Sequence, residues 1–384
     1  MDTLASAAER LQSVITTAGR GLVGREVAVQ LVMLAAVARE HALLVGPPGT
    51  AKSEAVRRVA RGLGGRYFEY LIGRFTEPAE IFGPVDLKRL REGVVETQTA
   101  GMLPEADVAF LDEVFLGSTA ILNTLLGVLN ERTFRRGHTA LLCPLRVCVG
   151  ATNALPEDPL LAAFADRFLI HVFLEPTADP QLESLLEAGW GLRPVDGGDA
   201  QTLAALDTAI AAVAKVDVTA VRPHLAEAIR TLRNAGIGMS DRRIVKLQRL
   251  VAAAAVLDGR SAATGADLWP LVFTIVRPAD QDRARDLLRS TLEASRNAAV
   301  GAAAEHASLG PVARAQRLER AAAELLEDTP EDAIERRRWR LKLEAVAREL
   351  DAAFGQTALP ETLAATRTRI VAKLAEVPLE PSRA

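Results

Sequence analysis

An octapeptide rich in glycine and proline, GPPGTAKS at residues 46–53, constrains the fold of this chain more than any other feature. It follows a short apolar run at residues 41–46, and a segment with helical patterning begins within it. A loop in this position presents backbone N–H groups and the positive end of a helix dipole to an anion. The sequence therefore predicts a strand, a phosphate-binding loop and a helix in succession.

The loop assigns roles to its own residues. Lys52 would reach the β and γ phosphates of a nucleotide, and Ser53 would be a ligand of Mg²⁺. Ala51 is a departure, because the general pattern has glycine immediately before the lysine. The candidate nucleotide-binding residues are Gly46, Pro47, Pro48, Gly49, Thr50, Ala51, Lys52 and Ser53.

Strand-like runs alternate with helical patterns in the first half of the chain, which is typical of a doubly wound α/β layer. After the run at residues 41–46, the further runs lie at residues 66–72, 107–113, 145–153 and 167–174. The stretch 73–104, punctuated by glycine and proline, is too long for an ordinary connection in a compact domain. We therefore expect an inserted element there.

Two carboxylates end the third strand-like run, and an amide ends the fourth. Asp112 is suited to holding Mg²⁺ through water, and Glu113 to orienting an attacking water molecule, because neighbouring strand residues point in opposite directions. The alternative for both is a strand-to-helix cap. Asn153 would lie beside them and could hold the same water, although an Asx turn before Pro156 is also compatible with its position.

From about residue 177 the composition shifts to Ala, Leu, Arg and Glu with helical spacing, which indicates a helical lid and further helices behind it. One apolar stripe near the C-terminus either binds a partner protein or packs against the rest of this chain. Its members are Trp339, Leu343, Val346, Leu350 and Phe354.

Charge and cysteine content exclude several classes of protein. The chain has 46 Lys and Arg against 49 Asp and Glu, so bulk attraction to nucleic acid or anionic membrane is not expected. Its apolar runs are too short for a membrane span, and its first ten residues lack the layout of a signal peptide, so we expect a cytoplasmic protein. Cys143 and Cys148 are expected to be buried thiols, and the 5 dispersed histidines predict no transition-metal site.

The order of five motifs, GPPGTAKS, FLDE, GATN, ADRF and SDRR, resembles that of AAA+ ATPases of the MoxR family. Segments such as RFTEPAEIFGP and AILNTLLGVLNERTFRRG are most similar to the RavA (regulatory ATPase variant) branch, and the resemblance covers about residues 4–280. It implies an α/β AAA+ P-loop core with a five-stranded parallel sheet, a helix-2 insert and a pre-sensor-1 hairpin. An all-α lid and a C-terminal helical segment would follow. The core would span residues 1–180, the lid residues 181–280 and the C-terminal segment residues 281–384.

The resemblance also supplies roles for arginines. Arg167 falls on the position of the arginine finger, which reaches the nucleotide of a neighbouring subunit; a surface ion pair with Asp166 is the alternative. Arg242 matches the second sensor of the lid, with Arg243 as the alternative register.

Two surface elements correspond to the pore-facing elements of the family. These are the insert at residues 73–104 and the hairpin at residues 133–145. The basic tip of the hairpin, Arg135, Arg136 and His138, either touches nucleic acid or is a solvated turn.

The activity implied by the resemblance is hydrolysis of ATP with Mg²⁺ by a chaperone-like motor that remodels a protein client. Such motors form a homo-oligomer, here a hexameric ring, and a protein with a von Willebrand factor A domain is the implied partner. Two other functions stay open: a nucleic-acid-acting helix-2-insert ATPase, and an assembly ATPase of the gas-vesicle type. Nucleic acid is not the expected partner, because the chain is slightly acidic.

Overall fold

The computed structural model describes residues 3–177, 181–193, 195, 197–309, 319, 322–323, 325–327, 330, 332–353 and 361–376. The chain divides into two compact units. The first joins Met1–Pro176 to Gly191–Ser308, and the second joins Thr177–Trp190 to Leu309–Ala384.

All five predicted strands are present in one parallel sheet of the first unit, which confirms the expected fold class. In chain order the strands are β1 (Ala42–Val45), β2 (Tyr67–Leu71), β3 (Val108–Asp112), β4 (Thr133–Arg136), β5 (Thr139–Leu142), β6 (Val147–Thr152) and β7 (Ile170–Phe173). The sheet order is β2-β3-β6-β1-β7, while β4 and β5 form a separate antiparallel hairpin. The ends of β1, β3 and β6 therefore meet at one edge of the sheet.

Helices account for most of the remaining described chain. In the first unit they are α1 (Leu4–Gly19), α2 (Glu26–Ala38), α3 (Lys52–Leu63), α4 (Pro78–Phe82), α5 (Leu87–Arg91), α6 (Thr119–Glu131), α7 (Pro159–Ala165), α9 (Ala200–Val213), α10 (Arg222–Asn234), α11 (Asp241–Leu257), α12 (Pro270–Phe273), α13 (Pro278–Leu287), α14 (Arg289–Leu292) and α15 (Gly301–Ser308). The second unit contains α8 (Leu182–Trp190), α16 (Ala333–Ala353) and α17 (Glu361–Glu376).

The central strands β1, β3 and β6 are buried on both faces, whereas the edge strand β2 carries exposed Glu69 and Leu71. Alternate residues of β1 belong to different clusters: Ala42 and Leu44 pack with α2 and α3, whereas Leu43 and Val45 pack on the opposite face. The first of these clusters continues into the lid, where α11 has an unbroken buried run from Leu250 to its end. A single hydrophobic core therefore connects one face of the parallel sheet to the helices that follow it in the chain.

The predicted insert contains α4 and α5, and the hairpin of β4 and β5 contacts it. The backbone N–H of His138 donates to the carbonyl of Val95 at 2.8 Å, and the guanidinium of Arg136 donates to the carbonyl of Gly83 at 3.2 Å. Gly83 has a φ of 107°, and a Cβ there would lie 1.9 Å from the carbonyl oxygen of Gln98. The insert and the hairpin thus form one surface element.

Residues of α13, α14 and α15, among them Ala284, Leu292 and Ala303, are buried in the cluster that also contains α2 and α11. The first compact unit accordingly extends to Ser308, whereas the sequence resemblance places a limit at residue 280. The three domains with limits at residues 180 and 280 remain a prediction.

The C-terminal apolar stripe is packed within the second unit. Trp339, Leu343 and Leu350 of α16 are buried together with Leu363 and Ile370 of α17. Val346 is partly buried in the same cluster, and Phe354 lies outside the described residues. The stripe therefore has an intramolecular contact surface.

Across the described part of the chain, no helix combines the length and the apolar character that crossing a membrane requires.

Candidate nucleotide-binding site

The predicted phosphate-binding loop connects β1 to α3, which begins at Lys52. Gly49 has a φ of 80° and Ala51 a φ of 58°, so both residues are left-handed. A left-handed conformation costs a residue with a Cβ about 1–2 kcal/mol. This explains why the general pattern has glycine where this chain has Ala51, and shows that alanine adopts the same backbone conformation here.

The first residue of the loop has no space for a side chain. A Cβ on Gly46 would lie 2.3 Å from the carbonyl oxygen of Leu174, which follows β7. The N–H of Gly46 donates to the carbonyl of Thr152 at 3.1 Å, so the loop begins between the ends of β6 and β7. Within the loop, the Thr50 hydroxyl donates to the carbonyl of Pro47 at 2.9 Å.

Arg25, which sequence reasoning missed, holds the far end of the loop. Its Nε donates to the carbonyl of Thr50 at 2.8 Å, and one Nη donates to the carbonyl of Glu175 at 2.7 Å. The side chain is buried, and burial lowers the pKa of its guanidinium although the nearby Glu26 opposes the shift. No motif reveals this role in the sequence, because Thr50 and Glu175 lie 25 and 150 residues from Arg25.

Lys52 is buried at the start of α3. Its ammonium group donates to the carbonyls of Gly46 at 2.6 Å and Pro47 at 3.0 Å. Burial lowers the pKa of Lys52, and the charges of Asp112 and Glu113 oppose that shift. Ser53 follows on the first turn of the same helix and is half-buried.

The carboxylates and the amide predicted to share the sheet edge do lie together. The Nδ2 of Asn153 donates to Oε1 of Glu113 at 2.7 Å, so Asn153 contacts Glu113 directly. Glu113 has a φ of 50°, and its N–H donates to Oδ1 of Asp112 at 3.0 Å. The pKa of Glu113 is raised by burial and by the charge of Asp112, against the opposing charge of Lys52.

Arg167 lies just after α7 and is half-buried. Its Nε is buried and has no hydrogen-bond partner among the residues that the structure describes. The alternative partner considered for it, Asp166, is instead ion-paired with Arg243 at 3.2 Å.

The structure separates the two neighbouring arginines of α11. Arg242 is exposed. Arg243 is buried, and its Nε and both Nη atoms donate hydrogen bonds to residues of the core and lid. Its donors are occupied within the chain, so of the two arginines only Arg242 is open to solvent.

Comparison with known proteins agrees with this geometry. Residues 9–213 match the family described as the MoxR domain in the MoxR-vWA-beta-propeller ternary systems, which is more than half of the chain. Residues 216–287 match the AAA lid domain family. The chain belongs to the MoxR family of AAA+ ATPases.

Several relatives of this MoxR-family chain are known. It is 35% identical over 242 residues to an uncharacterized protein of Methanocaldococcus jannaschii, covering 62% of this chain and 64% of that protein. It is 28% identical over 191 residues to chaperone MoxR1 of Mycobacterium tuberculosis, covering 48% and 50%. With protein MoxR of Paracoccus denitrificans it shares 25% identity over 324 residues, covering 71% and 91%.

A crystal structure of a proposed ATPase from Cytophaga hutchinsonii shares the fold, with a TM-score of 0.60 and 16% identity. The superposition covers 76% of this chain and 96% of that one.

The basic hairpin tip of this MoxR-family chain is mostly engaged by its own insert. Besides the contact of Arg136 with Gly83, Nδ1 of His138 accepts a hydrogen bond from the N–H of Val95 at 3.2 Å. Arg135 is exposed. The insert therefore holds Arg136 and His138 in place through backbone groups, which leave the charge of Arg136 unpaired by any acidic residue of the described chain.

The two cysteines are buried free thiols. Burial raises the pKa of Cys143 to about 11 and that of Cys148 to about 12, while the charge of Arg132 opposes both shifts. Both are therefore thiols rather than thiolates at neutral pH.

Proposed function

We propose that this chain hydrolyses ATP. The observation that carries the proposal is the hydrogen bond of 2.7 Å between Asn153 and Glu113, at the sheet edge from which the phosphate-binding loop emerges. An amide and a carboxylate in contact are suited to hold one water molecule between them and the nucleotide. Phosphoryl transfer to water depends mainly on such positioning and on charge neutralisation.

The donor set fits ATP and Mg²⁺. Residues 46–53 would hold the phosphates, with Lys52 as their charged contact, while Ser53 and Asp112 would hold the metal. A hydroxyl and a carboxylate are the hard oxygen ligands that Mg²⁺ prefers. When bound, the metal neutralises charge on the phosphate oxygens.

Arg167 would complete the site of a neighbouring subunit, and a ring, hexameric by family resemblance, would bring the two together. No described residue of its own chain pairs with the Arg167 side chain, which supports a role for its guanidinium outside its own subunit. Arg242, the exposed lid arginine, would contact the nucleotide bound by its own chain.

We further propose that the motor remodels a protein client as a cytoplasmic chaperone. The matching family is described by ternary systems of MoxR, vWA and beta-propeller components, which supports a partner with a von Willebrand factor A domain. One of the relatives is named a chaperone, which supports the type of action. Membership of the RavA branch belongs to the same proposal.

Two substitutions test the proposed hydrolysis. Lys52→Ala should weaken ATP binding by roughly a hundredfold, because a charged contact to phosphate is lost. Glu113→Gln should retain binding and lower kcat by about 10²–10⁴-fold, because only water orientation is affected. Binding is measured with a fluorescent nucleotide and turnover by phosphate release. Equal loss of binding in both variants would contradict these roles.

The partner is tested with the same trapped variant. Glu113→Gln with ATP should co-purify a protein containing a von Willebrand factor A domain from the native host, and Lys52→Ala should not. Recovery of nucleic acid in place of a protein would instead support the nucleic-acid-acting alternative.

A further inference from the structure

The buried guanidinium of Arg243 binds the backbone on both sides of Arg167. Arg243, in the first turn of α11, donates to the carbonyl of Asp166 at 3.2 Å and to that of Phe168 at 3.0 Å. It also donates to the carbonyl of Leu169 at 2.7 Å. The residues on both sides of Arg167 are therefore bound to one side chain of the lid.

The carboxylate of Asp166 strengthens this connection. Its Oδ1 accepts from Nη1 of Arg243 at 3.2 Å, and its Oδ2 accepts from the Ser240 hydroxyl at 3.4 Å. Ser240 is the N-cap of α11. The start of the lid helix thus holds the residue immediately before Arg167 through two side chains.

The remaining donors of Arg243 join the same contact to other parts of the first unit. Its Nε donates to the carbonyl of Thr274 at 2.9 Å, and Nη2 donates to Nδ1 of His171 at 3.2 Å. A buried arginine whose donors are all used is costly to replace, because each buried acceptor that it leaves loses a hydrogen bond.

We propose that Arg243 is a positioning residue for Arg167: from the lid it fixes the backbone from which Arg167 reaches the ATP site of the neighbouring subunit. This inference rests on the proposed function. Arg243 would thus act on ATP hydrolysis in the neighbouring subunit, whereas Arg242, the preceding residue of the same helix, would contact the nucleotide of its own chain.

The test uses mixed rings in which each subunit type supplies one half of an active site. Glu113→Gln subunits keep Arg167 and cannot turn over ATP, and Arg167→Ala subunits keep an intact site. We expect the mixture to hydrolyse ATP at sites where the second type faces the first. This reference mixture is measured before Arg243 is changed.

Arg243→Lys is then introduced into either type. Lysine keeps the charge but lacks the planar array of donors, so the backbone around Arg167 is no longer held. In the Glu113→Gln subunits, which supply Arg167, the change should lower the rate of the mixture roughly tenfold to a hundredfold. In the Arg167→Ala subunits, the rate should stay within about twofold of the reference, since a subunit without Arg167 has nothing left for Arg243 to position.

Two controls separate positioning from folding. Arg58→Lys changes another buried arginine, which donates to the carbonyls of Arg20 and Arg193, and any loss should be the same in both subunit types. Asp166→Asn keeps the backbone carbonyls and should reproduce the asymmetry of Arg243→Lys more weakly, so the test remains possible where Arg243→Lys does not fold. Thermal unfolding and ATP-dependent assembly are measured for every variant.

Equal loss in both subunit types, or loss only in the Arg167→Ala subunits, would overturn the positioning role. A wild-type chain without ATPase activity, or a reference mixture without recovery, would overturn the proposed function and the positioning role with it. The failure of the proposed function is distinguishable from that of the positioning role, because it appears before any change at Arg243.

Discussion

Two buried arginines hold the two halves of the candidate site, and they do so in different ways. Arg25 binds the end of the phosphate loop and the chain after β7, two segments whose shape is already set locally by glycines and strand ends. Arg243 binds the segment around Arg167, whose ADRF motif contains no glycine to set its backbone locally. One half of the site is therefore shaped by its own sequence, and the other by the lid that packs on it.

Of the two halves, the one that the lid shapes should show the larger effect. Arg167→Ala should lower kcat by about 10³-fold, because an arginine finger stabilises charge in the transition state. ATP affinity should change little, since the phosphate loop is untouched. Steady-state kinetics and nucleotide titration on the same sample measure both. A parallel loss of affinity and turnover would place Arg167 in its own subunit's binding site and weaken the comparison.

A smaller effect is expected when the loop loses its own arginine. Arg25→Met should weaken ATP binding about tenfold, because one charge-assisted hydrogen bond to the loop carbonyl disappears. In mixed rings this loss should follow the subunit that supplies the intact site, which is the reverse of the pattern for Arg243→Lys.

Mixed rings can assign both arginines to a subunit in one assay. Arg25→Met in a subunit that already carries Glu113→Gln should leave the ATPase rate of the mixture close to that of the reference mixture. Equal effects in both subunit types would mean that Arg25 supports the fold in general.

Acidification should act on both halves alike. His41, before β1, and His171, in β7, are buried, and their pKa values are lowered well below 6.5 by burial and by neighbouring arginines. Both are therefore neutral in the folded chain, whereas the unfolded chain takes up protons below about pH 6.5. Stability is present above that pH and falls as pH decreases, by up to about 1.4 kcal/mol per pH unit for each histidine.

Urea unfolding between pH 7.5 and pH 5.5 measures this dependence. His41→Asn should be less stable at pH 7.5 but show a shallower decline, because one titrating group is gone. His224, which is exposed, supplies the matched control, since His224→Asn makes the same chemical change without altering a buried site. An unaltered slope in His41→Asn would contradict the assignment.

The smallest effect concerns the left-handed alanine of the loop. Ala51→Gly should stabilise the chain by less than about 1 kcal/mol, because relief of the left-handed backbone is partly offset by the greater entropy of glycine in the unfolded chain. Ala51→Val should destabilise it by about 1–2 kcal/mol, since a β-branched residue fits that conformation poorly. Thermal unfolding of the three proteins orders them; a valine variant as stable as the wild type would contradict the role of the backbone.

Much of the site could be predicted because its signals are local. The phosphate loop, Asp112, Glu113 and Asn153 each end a strand or begin a helix, and a parallel sheet brings such ends to one edge. The contact of Asn153 with Glu113 is a direct case, since 40 residues separate them and only the strand order makes them neighbours. Their roles in hydrolysis remain predictions.

The sequence by itself determined the five strands, the loop with its lysine and the position of the acidic residues, because strand patterning and turn chemistry act over a few residues. Tertiary structure alone decided that Arg25 holds the loop, that Arg243 rather than Arg242 is buried, and that the C-terminal stripe packs against α17. The physical reason is that a buried guanidinium or an apolar stripe acquires its role from its partners. Thr50 and Glu175 lie 25 and 150 residues from Arg25. The carbonyls that Arg243 binds around Arg167 lie 74 to 77 residues from it, so no local sequence pattern predicts either set of contacts.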